Sequence, residues 1–349
     1  MKVFITGNMG YVGSVLTQYL KKIYPKIQLI GYDTSFFGHS LTGADFIPEQ
    51  AMSVQHFGDI RDIQQSLLTE VDAVIHLAGI SNDPIGNEFE DVTADINNHA
   101  SVRLAKMAIN EGVKNFVFAS SCSMYGQAEL GARKESDPTN PLTAYARSKI
   151  RTEEDLKNIN LKEMMFTSLR FATACGWSNR LRLDLVLNDF VACAITSGEI
   201  TVLSDGSPWR PLIDVEDMSR VIDWAMKRNK DNGGQFLAVN AGSDNSNYQV
   251  KQIATAVAKL IPDTKISINK EALPDKRSYS VDFNLYKSLA PDFQPIVSLD
   301  QSIARLRDGL IKVGFSDKNF RNSSYMRLNT LRKHMDSNRI KKNLRWNIF

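Results

Sequence analysis

The chain has 349 residues, 43% of them hydrophobic and 23% charged, with a formal net charge of +3 at pH 7. This length predicts a large domain with a second lobe, and so small a charge gives no argument for a nucleic-acid or membrane-surface partner. The three cysteines, Cys122, Cys175 and Cys193, lack the paired spacing of a disulfide framework or a zinc site, so we expect no metal and a reducing cytoplasm. Because a strand pattern begins at Lys2 and the apolar runs are only strand-length, we expect neither a signal peptide nor a membrane span.

Strand and helix patterns alternate through the first half of the chain. KVFITG is an apolar run that meets glycine, the helical pattern SVLTQYLKKIY follows, and QLIGYD is a second strand. The alternation predicts further strands in SVQHFGD, DAVIHLAG, NFVFASS and MFTSLRF, and helices near 61–69, 96–111 and 143–158. Strands separated by helices predict an α/β fold with a parallel, doubly wound sheet of the Rossmann type.

The second half of the chain does not continue the regular alternation of strands and helices. After Phe171, the helical pattern RLDLVLNDFVACAITSG, the strand EITVLS and the turn DGSPWRP are interleaved with loops, and the pattern AVNAGSDN precedes a helix near 248–260. We therefore predict a first domain of residues 1–171, to which 208–240 return. A smaller, mixed α/β substrate-binding lobe is predicted from residues 172–207 and 241–315.

The last stretch, residues 316–349, is basic. We expect an amphipathic helix that packs Met326, Leu328 and Leu331 while its charges stay in solvent. Nucleic-acid binding is disfavoured because no set of aromatic residues for base stacking accompanies the charges.

A glycine-rich loop follows the first strand. Gly7, Gly10 and Gly13 in TGNMGYVGS form the pattern G-x-x-G-x-x-G, which allows a tight turn, close approach of a pyrophosphate and close helix packing. Asp33 ends the second strand, where a carboxylate binds both adenosine ribose hydroxyls and repels a 2′-phosphate, so NAD is favoured over NADP. Asp59 ends the third strand and either contacts adenine or is a turn residue.

The segment TAYARSK places Tyr145 and Lys149 four residues apart, on one face of the predicted helix. In an unknown chain such a pair is more often a solvated surface contact. Ser121 ends a strand upstream, at the edge where parallel sheets carry their chemistry. This setting, after a dinucleotide half-site, favours a catalytic role for the three residues.

Several segments together, in order and spacing, resemble the extended short-chain dehydrogenase/reductase family. They are TGNMGYVG, Asp33, HLAG at 76–79, the Asn97 segment, SSCSMYG, YARSK, RFATACG and WRPLIDVED. The similarity is to its NAD-dependent epimerase/dehydratase branch, which modifies nucleotide sugars and includes the UDP-glucose 4-epimerases. It implies NAD as cofactor, a nucleotide-sugar substrate and a homodimer formed by the helix after Asn97 and the helix with Tyr145.

The resemblance also implies residue roles. Tyr145 would be the general base, with its pKa lowered by Lys149 and by the positive nicotinamide, and Ser121 would orient the reacting sugar oxygen. Lys149 would also hold the nicotinamide ribose. Besides the residues named above, the implied cofactor contacts are Tyr11, Val12, Ile60, Leu77, Ala78, Gly79, Ser120 and Phe171.

The implied dimer helices carry Val102, Ala105, Ala108 and Ile150 on plausible apolar faces. Packing inside one protomer explains the same pattern, so both interpretations stay open.

Oxidation of a sugar C4 hydroxyl to a ketone allows three outcomes, namely an epimer, a dehydrated sugar or the released ketone. Nucleotide-sugar 4,6-dehydratases carry an Asp-Glu pair after the catalytic hydroxyl, and this chain has Cys122 and Ser123 there, which are poor substitutes. We therefore predict a 4-epimerase, with a 4-dehydrogenase or 4-keto reductase as the alternative. Cys122 is either an acid/base or, more commonly for such a thiol, a packing residue. A non-catalytic or regulatory NAD-binding protein is the alternative from another class, and the intact Ser121, Tyr145 and Lys149 set argues against it.

The substrate diphosphate has three candidate ligands. WRPLIDVED resembles the family segment that meets the diphosphate, which implies Arg210 as a bidentate ligand. Asn188 is a second candidate, and Arg277 a third. The family's usual arginine precedes the position of Arg277, at a place that here holds Glu271, Ala272 and Leu273.

The sugar nucleotide has further candidate contacts, at Ser81, Ser121, Ser123 and Thr173. Many relatives have Asn where this chain has Thr173. RLRLDLVLNDF and PDKRSY are similar to a subgroup that oxidises C4 of GDP-linked heptoses or epimerises related sugars. The nucleotide and the sugar therefore stay open.

Overall fold

The structure is a computed structural model that describes residues 1–269, 271–272 and 277–347. Leu273 and the first three residues of PDKRSY lie outside the described residues. The strands are β1 (Lys2–Thr6), β2 (Gln28–Asp33), β3 (Val54–Phe57), β4 (Ala73–His76), β5 (Asn115–Ser121), β6 (Gln127–Arg133), β7 (Met165–Phe171), β8 (Thr173–Cys175), β9 (Glu199–Val202), β10 (Trp209–Asp214), β11 (Phe236–Ala241), β12 (Asn247–Gln249), β13 (Lys265–Ile268) and β14 (Ser278–Val281). The α-helices are α1 (Tyr11–Ile23), α2 (Asp83–Glu88), α3 (Glu90–Ala94), α4 (Ala100–Asn110), α5 (Ala144–Lys157), α6 (Val186–Thr196), α7 (Val215–Ala225), α8 (Val250–Leu260), α9 (Asn284–Leu289), α10 (Leu299–Lys312) and α11 (Arg327–Asp336).

Seven strands form one fully parallel sheet in the order β11-β7-β5-β4-β1-β2-β3. The chain winds outward from β1 in one direction through β2 and β3, and in the other through β4, β5 and β7. A sheet of this kind opens a crevice outside its carboxyl edge where the winding reverses. The predicted doubly wound α/β fold is confirmed.

Two apolar clusters cover the two faces of this sheet. One packs α1 and α7 against it through residues such as Leu16 and Val221, and the other packs α4 and α5 through Leu104 and Leu156. Each fully buried side chain of this size stabilises the fold by about 1.5–3 kcal/mol. Such cores on both faces explain why the central strands are almost continuously apolar.

The second lobe has its own core, formed by α6, α8 and α10. Three small sheets belong to it or join it to the first domain, and they are β12-β10-β8, β13-β9 and β14-β6. The segment 208–240 contains β10, α7 and β11. β10 pairs with β8 and β12, outside the main sheet. In contrast, α7 packs on α1, and β11 is the edge strand of the main sheet.

Two helix predictions differ from the structure. The predicted helix near 61–69 is wrong, because this segment forms two short 3₁₀ turns, Ile60–Asp62 and Gln65–Leu68. The side chain of Asp59 accepts the backbone N–H of Arg61, which favours a tight turn over a continuous helix. The helix predicted from RLDLVLNDFVACAITSG begins only at Val186.

The C-terminal segment lies against the first domain. Leu331 of α11 is 1% exposed and belongs to the apolar cluster beside α4 and α5. The expectation that the charges of this segment stay in solvent is wrong for Arg327, which is only 2% exposed, and His334 is buried as well. Within the described ranges, no helix is long and apolar enough to cross a membrane.

Candidate active site

A cavity of about 890 Å³ opens at the carboxyl edge of the main sheet and extends between the two lobes. Its volume is in the range of sites for cofactors and small molecules. All of the predicted cofactor residues line it, as do all of the predicted substrate residues except Asn188. Side chains that are far apart in the chain are therefore brought together as the sequence suggested.

The three glycines of the loop stand where an added side chain would crowd the neighbouring backbone. Gly7 has φ +74°, and a Cβ there would lie 2.6 Å from the backbone nitrogen of Ala78. A Cβ on Gly13 would lie 2.5 Å from the Cα of Asn8, and one on Gly10 would lie 3.1 Å from the oxygen of Gly7. The loop is thus a bare backbone cradle at the start of α1, which fits the pyrophosphate of a dinucleotide.

Asp33 lies at the far end of the cradle. Its two carboxylate oxygens accept the backbone N–H groups of Met9 at 3.0 Å and of Ser35 at 2.7 Å. Burial raises the pKa of Asp33, and these two hydrogen bonds oppose the rise. Each oxygen keeps acceptor capacity, so the carboxylate can still receive the ribose hydroxyls of adenosine.

Asp59 is largely occupied by its neighbour. Its carboxylate accepts hydrogen bonds from the backbone N–H and the Nε of Arg61, both at 2.9 Å. The structure therefore favours the turn interpretation for its side chain, although Asp59 and Ile60 both line the cavity.

Ser121 and Tyr145 meet at the floor of the cavity. Ser121 ends β5, and Tyr145 lies in the first turn of α5, whose N-cap Thr143 accepts the backbone N–H of Ala146 at 3.2 Å. Both side chains line the cavity, and the hydroxyl of Ser121 is close enough to that of Tyr145 to lower its pKa in part. A strand end and a capped helix start thus fix the two hydroxyls next to each other.

Burial dominates the pKa values of Tyr145 and Lys149. It raises the pKa of Tyr145 to about 12, and the neighbouring hydroxyl of Ser121 lowers it in part. Burial lowers the pKa of Lys149 to about 7, with Glu153 opposing. The Nζ of Lys149 donates to the oxygen of Ala119 at 2.7 Å and lies 5.8 Å from the ring centre of Tyr145. The lowering of the Tyr145 pKa by Lys149 and the nicotinamide together stays a prediction.

Asn97 supports this floor from behind. Its amide oxygen accepts the backbone N–H of Ile80 at 2.7 Å, and its nitrogen donates to the oxygen of Ile80 and to the hydroxyl of Ser148. The fully buried side chain thereby ties the loop after β4 to α5.

Two residues considered in the sequence analysis, Asn188 and Cys122, bond other parts of the protein and are not among the residues that line the cavity. Asn188 is fully buried. Its side chain accepts the backbone N–H of Gly176 and donates to the hydroxyl of Tyr11 and the backbone oxygen of Arg182. It therefore stabilises residues of the cavity wall without lining the cavity itself. Cys122 is also fully buried, its Sγ donates to the oxygen of Arg170 at 3.0 Å, and burial raises the pKa of the thiol. The packing interpretation of Cys122 is the one that this geometry favours.

Three of the predicted substrate residues, Thr173, Arg210 and Arg277, line the cavity together with Tyr279. Arg277 forms an ion pair with Asp83 at 3.1 Å. Its guanidinium therefore sits at the cavity mouth with its orientation set by α2.

The sequence analysis did not predict Arg182 as a site residue, although Arg182 lies in the segment RLRLDLVLNDF. Arg182 is 7% exposed and lines the cavity; its Nε donates to Asp184 at 2.9 Å and its Nη1 to Ser81 at 3.1 Å. Asp184 also accepts the amide of Asn82 at 2.7 Å. The alternation of arginine with leucine was the available signal, since it predicts that successive side chains face different environments.

Comparisons with known proteins agree with this geometry. The model of the NAD dependent epimerase/dehydratase family matches residues 3–242. The UDP-glucose 4-epimerase of Corynebacterium glutamicum is 25% identical over 271 residues, which cover 72% of this chain and 78% of that protein. The uncharacterized UDP-glucose epimerase YtcB of Bacillus subtilis is 29% identical over 226 residues, with 62% and 70% covered. The structure of the UDP-glucose 4-epimerase of Thermotoga maritima with UDP-glucose superposes with a TM-score of 0.74 at 21% identity, over 89% of this chain and 99% of that one. The predicted family and cofactor are confirmed: this chain belongs to the NAD-dependent epimerase/dehydratase family.

Proposed function

We propose that the protein is an NAD-dependent nucleotide-sugar 4-epimerase. The observation that carries the proposal is that Ser121 and Tyr145, with Lys149 one turn further along α5, line the same cavity as the glycine loop. A hydroxyl pair at this place can bind one sugar hydroxyl and remove its proton. The names of the relatives make UDP-hexoses the first substrates to test.

Tyr145 and Ser121 divide the proton chemistry between them. The phenol oxygen of Tyr145 takes the proton of the C4 hydroxyl and later returns it, while Ser121 donates a hydrogen bond to the same sugar oxygen and fixes its position. Bound NAD+ would accept the hydride from C4 and give it back to the other face, and its positive ring would favour the phenolate. Lys149 supplies a further positive charge at the floor when it is protonated.

The diphosphate of the substrate is assigned to the opposite side of the cavity. Arg210 and Arg277 line this side, and a guanidinium matches phosphate oxygens in a bidentate way. Thr173 and Tyr279 also line the cavity, and they are assigned to the sugar in this proposal. Ser123, which also lines the cavity, is a further sugar contact in this proposal.

The test is to incubate the purified protein with UDP-, GDP-, CDP- and dTDP-sugars and to follow the products by NMR in deuterated water. We expect interconversion of C4 epimers without solvent deuterium in the sugar. Tyr145→Phe is expected to lower kcat by about 10²–10⁴-fold while NAD affinity stays within about twofold. Cys122→Ser is the matched control and is expected to keep its turnover.

The other outcomes separate the alternatives. Accumulation of a ketone, or a need for added co-substrate, identifies a 4-dehydrogenase or 4-keto reductase. Full NAD binding without turnover of any sugar identifies a non-catalytic NAD-binding protein. Unchanged turnover in Tyr145→Phe refutes the catalytic assignment itself.

A homodimer formed by α4 and α5, in the cytoplasm, is part of the proposal. Val102 and Ile150 remain partly exposed on these helices and support it, whereas Ala105 and Ala108 are fully buried inside the protomer. The three cysteines are buried and unpaired, which suits a reducing compartment. A monomer mass at micromolar concentration would contradict the dimer.

A further inference from the structure

Arg327, the first residue of α11, is a buried charge without a full set of partners. Its Nη2 donates to the backbone oxygen of Arg180 at 3.1 Å, and its guanidinium lies 4.1 Å from the ring centre of Phe37. Among the described residues, its Nη1 has no hydrogen-bond partner although it is shielded from solvent. Arg327 also lines the cavity, so the unused donor is at hand for a ligand there.

Arg327 is one of three neighbouring arginines, and the other two have carboxylate partners. Arg180 is paired with Glu49 at 2.8 Å, and Arg182 is paired with Asp184 at 2.9 Å. The ion pairs seen among the described residues include none for Arg327. Burial lowers the pKa of Arg327 to about 9, Arg182 and Arg180 lower it further, and Asp184 and Asp33 oppose this. A buried cation in this state is stabilised by an anion.

The backbone oxygen that accepts from Arg327 belongs to the segment 178–180, which is hydrogen-bonded to the start of α1. The hydroxyl of Ser178 donates to the oxygen of Tyr11 at 2.8 Å and lies 2.9 Å from the hydroxyl of Ser14. Two residues further on, the oxygen of Arg180 accepts the hydrogen bond from Arg327. The segment that binds Arg327 therefore contacts the first turn of α1, the helix whose N-terminus carries the glycine loop.

The C-terminal segment follows the adenosine end of the cleft. The indole N–H of Trp346 donates to the oxygen of Thr34 at 2.6 Å, directly after Asp33, and Arg345 forms an ion pair with Asp62. Phe37, on which Arg327 packs, lies in the same loop after β2. Arg327 thus lies beside the loop that follows Asp33, whereas Thr173, Arg210 and Tyr279 stand on β8, β10 and β14.

We propose that Arg327 binds the pyrophosphate of the dinucleotide from the side opposite the glycine loop, with Arg182 as its neighbour. The C-terminal segment is then part of the cofactor site and closes it. The inference rests on the NAD site alone and not on which sugar reacts. A closed site suits an enzyme that returns its hydride to the substrate and has no need to exchange the cofactor.

The test compares Arg327→Met with Lys333→Met, which removes an exposed charge from the same helix. Calorimetry with adenosine, ADP and UDP reports binding without any turnover. Loss of a charge-assisted hydrogen bond is expected to weaken ADP about 10- to 100-fold in Arg327→Met, with adenosine unchanged. Lys333→Met is expected to bind all three ligands as the unmodified protein does.

Two results would overturn the proposal. One is unchanged ADP affinity in Arg327→Met, and the other is weaker UDP binding with ADP unaffected, which would assign the guanidinium to the substrate diphosphate. If Arg327→Met does not fold, Arg327→Lys keeps the charge and loses the planar fork. This variant is expected to weaken ADP by about threefold to tenfold, and unchanged ADP affinity in it would equally refute the assignment. Absence of epimerase activity would leave these binding results untouched.

Discussion

A buried ion pair beneath the catalytic floor offers a sharp test of what holds the site together. Glu153 lies one turn after Lys149 on α5 and is 6% exposed. Its carboxylate accepts hydrogen bonds from the hydroxyls of Ser120 and Ser168, both at 2.7 Å, and from Arg170 at 2.7 and 3.1 Å. Burial disfavours the charge of Arg170, yet Glu153 more than offsets this and raises its pKa.

Removal of one partner from such a pair leaves the other charge buried and uncompensated. We expect Glu153→Gln to lower the free energy of unfolding by about 3–5 kcal/mol. The Oε1 of Gln can still accept from the two hydroxyls, but its NH2 group replaces the oxygen that accepts from Arg170 at 2.7 and 3.1 Å, so the buried guanidinium loses both the charge of its partner and these hydrogen bonds. Arg170→Met is expected to have a cost of the same order, about 3–5 kcal/mol. The double variant restores neutrality, so its loss should be smaller than the sum of the two by about 2 kcal/mol or more.

Urea unfolding of the four proteins at pH 7.5, followed by circular dichroism, completes the double-mutant cycle. Lys157→Met, at the exposed C-terminal end of the same helix, is the control and should change the free energy of unfolding by less than about 0.5 kcal/mol. A coupling energy below about 0.5 kcal/mol would show that the two residues act independently and would refute the reasoning.

Two further predictions concern stability and the cofactor cradle. Burial raises the pKa of Asp214 from 3.8 to about 6, so between about pH 4 and 6 the folded protein binds more protons at this group than the unfolded chain does. The stability that this group contributes is present at pH 4 and is lost as pH rises through 6. The free energy of unfolding of the unmodified protein should therefore fall by about 3 kcal/mol relative to Asp214→Asn between pH 4 and 7 in urea titrations, and parallel pH profiles would contradict this. Gly13→Ala forces a Cβ to within 2.5 Å of the Cα of Asn8. We therefore expect this variant to lose about 1–3 kcal/mol in the free energy of unfolding and to bind NAD more weakly in calorimetry. The control is Gly112→Ala, which has φ +73° but nothing within 4 Å of the added Cβ, and it should leave the NAD affinity unchanged.

The predicted residues that the structure brings into one cavity include several whose positions follow from local chain order. Gly7 and Asp33 stand at the ends of adjacent strands, so the parallel sheet brings them together whatever the rest of the chain does. Ser121 and Tyr145 likewise stand at a strand end and a helix start. Periodicity and turn chemistry determine such positions before any long-range packing is considered.

The residues that the sequence could not predict depend on contacts between distant segments. Arg327 reaches the cavity only because α11 packs on the first domain, 147 residues away from the backbone oxygen that it bonds. Its local pattern, a cation at the start of an amphipathic helix, is typical of a solvated face. The helix predicted near 61–69 is wrong for a local reason, because the side chain of Asp59 competes with the helical backbone for the N–H of Arg61.

The positions of the site residues separate the chemistry from substrate choice. Ser121, Tyr145 and Lys149 lie on β5, a strand of the central sheet, and on α5, which packs on that sheet in a buried core. Arg210 and Arg277 lie outside the central sheet, on or beside strands of the small sheets. Because a change in one lobe leaves the packing of the other intact, substitutions on the first set should act on kcat, and substitutions on the second set on KM. A protein built in this way can change its sugar nucleotide through the second lobe while the same hydroxyl pair continues to perform the proton transfer.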